Sequence, residues 1–149
     1  MLAQVRTAAQ ALGAFSLMGS VMEPLVRAED TAQAYELVRT TVGPQGRSPL
    51  HSMSRDKVFV VVAGELVITL GEEDHAAPAG TVVHVPSGTA HRYRNPTADP
   101  AQVLVVTTGA GHVDFLAGMS ALTVDGPPAP EALAEHTAAH GVRMFPPRD

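Results

Sequence analysis

The segment KVFVVVAGELVITL, residues 57–70, is rich in β-branched residues on both sides of Ala63 and Gly64. β-Branched side chains favour a pleated strand over a helix, where their χ1 rotation is restricted. The small pair in the middle is typical of a tight turn, so the segment predicts a β-hairpin. A chain that contains this segment is expected to fold around a sheet.

The strand signal continues from Tyr35 to residue 108. Two stretches rich in Gly, Pro or acidic residues, at 43–49 and 71–80, predict turns. The other predicted strands are 35–42, 81–85, 90–94 and 101–108. Many short strands separated by turns are typical of an all-β sandwich or barrel.

Composition excludes several classes of protein. The 149 residues are 45% hydrophobic and 17% charged, which suits one domain with a single core. A formal net charge of −5 argues against a nucleic-acid partner, because such a partner selects a basic face. The chain has no cysteine, which excludes disulfides, thiolate metal ligands and cysteine nucleophiles.

The N-terminal segment is predicted to be a short helix. Residues 8–18, AAQALGAFSLM, are apolar but too short to cross a bilayer. Only Arg6 precedes them as a positive charge and no convincing A-x-A cleavage site follows, so a secretory signal is not expected. An amphipathic helix, or an extension ahead of a start at Met18 or Met22, fits better. The expected location is cytoplasmic.

The character of the chain changes again after Gly109. Residues 111–120 predict a helical segment, and 130–140 begin with a proline and an acid and end before Gly141, as helices do. The sequence therefore predicts three parts. They are an N-terminal extension at 1–22 that could form a helix, a β-rich domain at 23–110, and a C-terminal helical segment with a tail at 111–149.

Residues 80–95, GTVVHVPSGTAHRYRN, contain the most specific motif of the chain. They resemble the second motif of the cupin superfamily at each of its fixed positions, which here are Gly80, Pro86, Gly88, His91 and Asn95. The chain is similar in layout to small single-domain, quercetin-dioxygenase-like cupins. The resemblance implies a jelly-roll β-barrel with an internal pocket, commonly dimeric, and therefore an all-β fold with short N-terminal and helical C-terminal additions.

The first cupin motif is degenerate in this chain. His51 stands at its first histidine and Gly64 at its closing glycine, but Met53 stands at the second histidine and Lys57 at the glutamate. Cupins as a class bind Fe, Mn, Zn or Ni through three histidines and one glutamate. Of that set the resemblance leaves only His51 and His91 as ordinary ligands.

These two replacements disfavour a divalent metal. A thioether is a soft, weak ligand for such ions. Two unit charges about 4 Å apart in a partly buried site interact by roughly 4 kcal/mol, and a dication doubles the repulsion from an ammonium. We therefore expect no cofactor. A metal on His51 and His91 is retained only if Lys57 binds through a deprotonated nitrogen or another group assists.

Lys57 is the only lysine of the chain, and three interpretations of it remain open. Burial would lower its pKa and make it a general base or an imine-forming amine. A charged Lys57 would instead stabilise a carboxylate or enolate on a ligand. A shift in strand register would place it at the barrel rim, where its amine reaches water.

The two motif histidines are expected to face the pocket and to act as acid and base near neutral pH. Tyr93 has the same strand parity as His91 and is expected beside it. The candidate substrate-binding residues are Met53, Tyr93, Phe59 and Arg39, and the candidate catalytic residues are His51, Lys57 and His91.

The leading functional hypothesis is a metal-independent isomerase, cyclase, dehydratase or decarboxylase. Its substrate would be a small carbonyl-containing or polyketide-like molecule, with a histidine moving the proton and Lys57 stabilising negative charge. Two alternatives are a noncatalytic cupin that binds a metabolite and a metal-dependent dioxygenase-type cupin. The expected partners are a small organic molecule and a second copy of the chain, with no nucleic acid and no membrane.

Overall fold

The computed structural model describes residues 3–7, 10 and 13–147. These residues form eleven strands and two α-helices. The strands are β1 (Phe15–Leu17), β2 (Ser20–Val26), β3 (Tyr35–Val42), β4 (His51–Met53), β5 (Lys57–Ala63), β6 (Glu65–Leu70), β7 (Glu73–Pro78), β8 (Val82–Val85), β9 (His91–Arg94), β10 (Ala101–Thr108) and β11 (Val142–Met144). The helices are α1 (His112–Thr123) and α2 (Pro130–Ala139), and a 3-10 turn covers Ala28–Thr31.

The strands assemble into two antiparallel sheets. Sheet A has the order β1-β2-β3-β10-β5-β8, and sheet B has the order β11-β4-β9-β6-β7. Helix α1 packs against β1, β3 and α2. The prediction of a mostly β chain is confirmed. Within the described ranges no strand ladder joins the two sheets, so a closed jelly-roll barrel stays a prediction, and no helix is long and apolar enough to span a bilayer.

Alternate residues on the strands of both sheets form the core. Phe59 and Val61 on β5 meet Leu66 and Ile68 on β6, and each of the four is at most 1% exposed. Successive side chains on a strand point to opposite faces, so Lys57 lies on the same inward face as Phe59 and Val61. The register of one strand therefore places an amine inside the protein.

Gly64 carries the chain from one sheet to the other. The sequence predicts a hairpin here, but β5 pairs with β10 and β8 in sheet A, whereas β6 pairs with β7 and β9 in sheet B. Gly64 has a φ of +72°, and a Cβ atom on it would lie 2.7 Å from the Pro100 oxygen and 2.8 Å from the Ala101 Cα. The predicted turn is thus a tight crossover between sheets.

The predicted N-terminal helix is wrong from Phe15 onward. Residues 15–17 and 20–26 form β1 and β2, which pair through a two-residue turn at Met18 and Gly19. Both turn residues have positive φ values, 49° and 81°, as a type I′ hairpin requires. Residues 8, 9, 11 and 12 of the predicted helix lie outside the described residues. The proposed boundary after Met22 falls inside β2.

The acidic stretch 71–80 also differs from its prediction as a turn. Residues 73–78 form β7, which pairs with β6 along its whole length. Ala77 is the one buried residue of this edge strand. A strand that faces solvent with nearly every side chain gives no hydrophobic alternation, which is why the sequence pattern does not reveal it.

We expect Gly64→Ala to destabilise the fold much more than Gly71→Ala. Both glycines have positive φ, which costs an alanine roughly 1 kcal/mol, but a methyl group on Gly71 would have no atom within 4 Å, whereas one on Gly64 would meet backbone. Urea unfolding should give a loss of at least about 2 kcal/mol for Gly64→Ala and about half of that or less for Gly71→Ala. Equal losses would contradict the tight crossover.

Candidate active site

A cavity lies between the inner faces of the sheets and α1. Its volume is about 50 Å³, which is room for a few water-sized groups. The exposed side chains of Met18 and Arg47 contribute to its lining, so the cavity opens to solvent on their side. Most of the lining is apolar and includes Met22, Val38, Phe59, Val105, Leu116 and Met119. The ionisable side chains that share it with Arg47 are His51, Lys57, Tyr93 and His112.

Lys57 is the first residue of β5 and lines this cavity while being only 4% exposed. Its Nζ lies 2.9 Å from Nε2 of His91 and 5.4 Å from the centre of the Phe59 ring. Among the described residues no carboxylate forms an ion pair with it. Burial, with a smaller contribution from the charge of Arg55, lowers the pKa of Lys57 to about 7. The buried position excludes the interpretation at the barrel rim.

His51 and His91 face each other across the β4–β9 pair, with ring centres 4.4 Å apart. In each, Nδ1 lies 2.8 Å from a backbone carbonyl oxygen, that of Pro49 for His51 and that of Thr89 for His91. A carbonyl oxygen can only accept, so Nδ1 carries the proton in both rings. Nε2 of each neutral imidazole is therefore an acceptor, and in His91 it accepts a hydrogen from Lys57.

The titration of these imidazoles differs from the expectation of an acid and a base near neutral pH. Burial, followed by the charge of Lys57, lowers the pKa of His91 to about 3. Burial and then Lys57 also hold the pKa of His51 well below its usual range. The motif residue that titrates near neutrality is Lys57, and both rings are neutral there.

Two of the predicted substrate-binding residues contribute to the cavity lining. The rings of Phe59 and Tyr93 meet edge to face with centres 6.2 Å apart. Burial raises the pKa of the Tyr93 hydroxyl, so that group stays protonated. Tyr93 and His91 are two residues apart on β9 and both are buried, because alternate side chains of a strand point to the same face.

The other two predicted substrate-binding residues lie elsewhere. Met53 is buried in the hydrophobic cluster beneath α1 and is not part of the lining. Arg39 faces away from the core and forms an ion pair with Glu23, with 2.8 Å between its nitrogen and the carboxylate oxygen. The inward residues of β3 are the alternate ones, such as Val38 and Thr40, so the prediction for Arg39 fails on strand parity.

His112 is a cavity residue that the sequence motifs do not reveal. It begins α1, is 3% exposed, and its Nδ1 has no hydrogen-bond partner among the described residues. The carboxylate of Glu36 accepts hydrogen bonds from the backbone N–H groups of His112 and Val113, at 2.8 and 3.3 Å, and so fixes the start of the helix. The only sequence signal is a histidine at a predicted helix start.

The donor set at the motif positions does not fit a divalent cupin metal. The amine of Lys57 engages the Nε2 atom with which His91 would bind an ion, and Met53 lies outside the lining. The described part of the chain contains no group of three or more histidine, cysteine or acidic side chains placed to hold a metal. The Lys57 amine is an N–H donor, which suits an anion or a carbonyl oxygen better than a cation.

Comparison with known proteins finds a family and several relatives. Residues 38–107 match the Cupin_2 family, the cupin domain. An uncharacterised protein of Streptomyces coelicolor is 42% identical over 53 residues, or 36% of this chain, and this chain spans half the length of that relative. A solved sugar phosphate isomerase of the cupin superfamily from Silicibacter pomeroyi is 26% identical, with a TM-score of 0.54 over 60% of this chain and 59% of that one.

Two further solved structures share the fold. The polyketide cyclase RemF from Streptomyces resistomycificus is 20% identical, with a TM-score of 0.63 over 72% of this chain and 80% of its own. A predicted oxalate decarboxylase from Thermotoga maritima is 21% identical, with a TM-score of 0.65 over 71% of this chain and 99% of its own. At these identities the likeness concerns the fold alone.

We expect Lys57→Met to stabilise the protein below neutral pH. Because burial lowers the pKa of Lys57 from 10.5 to about 7, the unfolded chain binds more protons between these pH values, and wild-type stability rises with pH across that window. Below pH 7 the cost of the buried amine is on the order of 5 kcal/mol at most. Urea unfolding should show an advantage of Lys57→Met that is largest at low pH and fades toward pH 10.5.

Arg143→Met is the matched control, because it removes a cation that is exposed on β11, the edge strand of sheet B. Its unfolding free energy should stay within about 0.5 kcal/mol of the wild type. A Lys57→Met variant that is less stable than wild type at acidic pH, or whose advantage does not change with pH, would contradict the lowered pKa.

Proposed function

Residues 38–107 of this chain are a cupin domain, and we propose that the protein is a metal-independent enzyme that moves protons on a small carbonyl compound. The observation that carries this proposal is the buried Lys57 amine, which lines an apolar cavity, lacks a carboxylate partner among the described residues, and donates to the neutral ring of His91. An N–H donor without a counter-ion is suited to hold an oxygen on which negative charge develops.

The proposed reaction begins with the carbonyl oxygen of the substrate at Lys57. His51 lines the same cavity, and its Nε2 takes a proton from the carbon next to the carbonyl. The electron pair of that bond forms the enolate, and its oxygen accepts a hydrogen bond from Lys57. The negative enolate arises in the same step as the imidazolium and offsets the cost of charging His51 in a buried site.

The enolate can then react in several ways. Return of the proton to a different carbon gives isomerisation, and loss of a leaving group from the β carbon gives dehydration. These outcomes use the same two protein groups, one that holds the oxygen and one that carries the proton. The shape and the second functional group of the substrate decide between these outcomes, so the chemistry of the site alone does not fix the overall reaction.

The size of the cavity favours a small substrate. A volume of about 50 Å³ accommodates a chain of a few carbon atoms, and the lining offers mainly apolar contacts. A polyketide of several rings would require α1 to move away from the sheets. The resemblance to the polyketide cyclase RemF supports a cupin fold for this chain and does not extend to its substrate.

The proposal is tested by exchange of carbon-bound hydrogen in D₂O. A panel of small aldehydes and ketones is incubated with the full chain in the presence of EDTA, and ¹H NMR follows loss of the α-proton signal. We expect exchange of at least one compound, and a rate at least about 100-fold lower for His51→Ala, the loss typical of a removed general base. His75→Ala is the matched control, because His75 is half exposed on the edge strand β7.

Two results would overturn the proposal. Exchange that is abolished by EDTA and restored by Fe or Mn would establish the metal-dependent alternative. Compounds that bind without exchange, with His51→Ala altering only their affinity, would establish a noncatalytic binding protein.

A further inference from the structure

We propose that the Lys57 amine forms an imine with an aldehyde or ketone bound in the cavity, an inference that rests on the proposed function and deepens it. Such a bond would turn the carbonyl carbon into an iminium carbon, which withdraws electrons more strongly than a hydrogen-bonded carbonyl does. The proton removed by His51 would then leave an enamine, and the substrate class would be restricted to aldehydes and unhindered ketones.

The placement of Lys57 suits a nucleophile. Strands β10 and β8 flank its backbone, with Thr107 and Val85 as register partners, so the side chain is held on the inward face. Lys57 lines the cavity and is only 4% exposed, with its Nζ 5.4 Å from the centre of the Phe59 ring. A lysine that serves only as a structural cation would be expected to face a carboxylate, and none pairs with this one in the described residues.

The amine is also available in its reactive form. An amine attacks a carbonyl carbon only when its nitrogen carries a lone pair. Burial lowers the pKa of Lys57 to about 7, so roughly half of the molecules carry a neutral amine at neutral pH. A lysine in water is about a thousandfold less populated in that form.

His91 is positioned to remove the hydrogens that the nitrogen has to lose. Its Nδ1–H is held by the Thr89 carbonyl, which leaves Nε2 as the acceptor 2.9 Å from Nζ. We assign His91 as a positioning residue and proton carrier that acts through Lys57. It is more deeply buried than His51 and is not part of the cavity lining, so it can meet only the substrate atoms that bind next to Nζ, among them the carbinolamine oxygen.

The steps balance without an oxidant or a reductant. The Nζ lone pair forms the N–C bond while the carbonyl π pair moves to oxygen. One hydrogen of Nζ passes to Nε2 of His91 and from there to that oxygen, which gives a neutral carbinolamine. The second hydrogen follows the same route, the C–O bond breaks, and the nitrogen lone pair closes the C=N bond. The products are the imine and one molecule of water. Uptake of one proton from solvent at the imine nitrogen gives the iminium ion, and transfer of its α-proton to His51 leaves the neutral enamine.

Reductive trapping tests the imine directly. The full chain is treated with butanal or butanone and sodium cyanoborohydride at neutral pH, and the adduct is located by intact mass and peptide mapping. Lys57 is the only lysine, so the N-terminal amine is the one competing site and serves as an internal reference. We expect Lys57 to be alkylated roughly 100- to 1000-fold faster than the amine of free Nα-acetyl-lysine amide, in line with its larger neutral fraction.

Two variants separate chemistry from structure. Lys57→Arg keeps a cation but cannot form the imine, and its adduct should be confined to the N-terminus. His91→Gln keeps an oxygen acceptor for the amine but cannot carry a proton, so trapping should slow at least about 10-fold. In protein labelled with ¹³C-lysine, the single side-chain signal should still titrate near pH 7 in His91→Gln, which a collapsed site would not allow.

The outcomes distinguish this inference from the proposed function. Wild-type protein labelled at the N-terminus alone, or at Lys57 no faster than free lysine, would overturn the imine even if α-proton exchange is observed. A Lys57 adduct without α-proton exchange would support the imine and overturn the proton-transfer enzyme.

Discussion

The hydrogen bond between Lys57 and His91 joins the two sheets at the centre of the fold. Lys57 belongs to β5 in sheet A and His91 to β9 in sheet B, and their polar atoms meet at 2.9 Å between hydrophobic layers. The direction of this hydrogen bond is fixed. The Thr89 carbonyl holds the Nδ1–H of His91, and the pairing of β5 with β10 holds Lys57 on the inward face. The chemistry of the cavity follows from how this pair shares its protons.

Helix α1 completes the site that the sheets begin. The Glu36 carboxylate holds the first backbone N–H groups of the helix, and this places His112 against the cavity. On its other side α1 is supported by α2, where the ring of His136 stacks on Phe115 with centres 5.4 Å apart and reaches the Phe115 carbonyl at 2.9 Å. Helix α1 therefore lines the cavity and α2 supports it, although both helices lie outside the family match.

Much of the site could be predicted because strand alternation and motif spacing are local properties. The parity of β5 places Lys57 beside Phe59, and the second motif places His91 and Tyr93 on one face. The position of His112 could not be predicted, because it depends on a long-range bond from Glu36 to a helix start. Strand alternation alone also does not say which face of a strand points to the core. For this reason Arg39 is predicted to line the pocket, although it lies on the outward face of β3.

The fold away from the site shows the same limit. Six of the strands and both helices are predicted from local sequence patterns or from start and stop residues. The hairpin at Met18 depends on two consecutive positive φ values, and the crossover at Gly64 depends on the approach of the Pro100 and Ala101 backbone. Such features depend on the backbone conformation and on tertiary contacts, which composition and periodicity do not reveal directly.

Position 57 lies beside His91 and lines the same cavity as His51, which has an evolutionary consequence. Lys57→Glu would leave two histidines and one carboxylate around the same space, which is the donor set of the facial triads that hold non-haem iron. Lysine and glutamate codons differ by a single base. A protein of this architecture therefore stands one mutation away from the donor set of a non-haem iron site, without rebuilding of the scaffold.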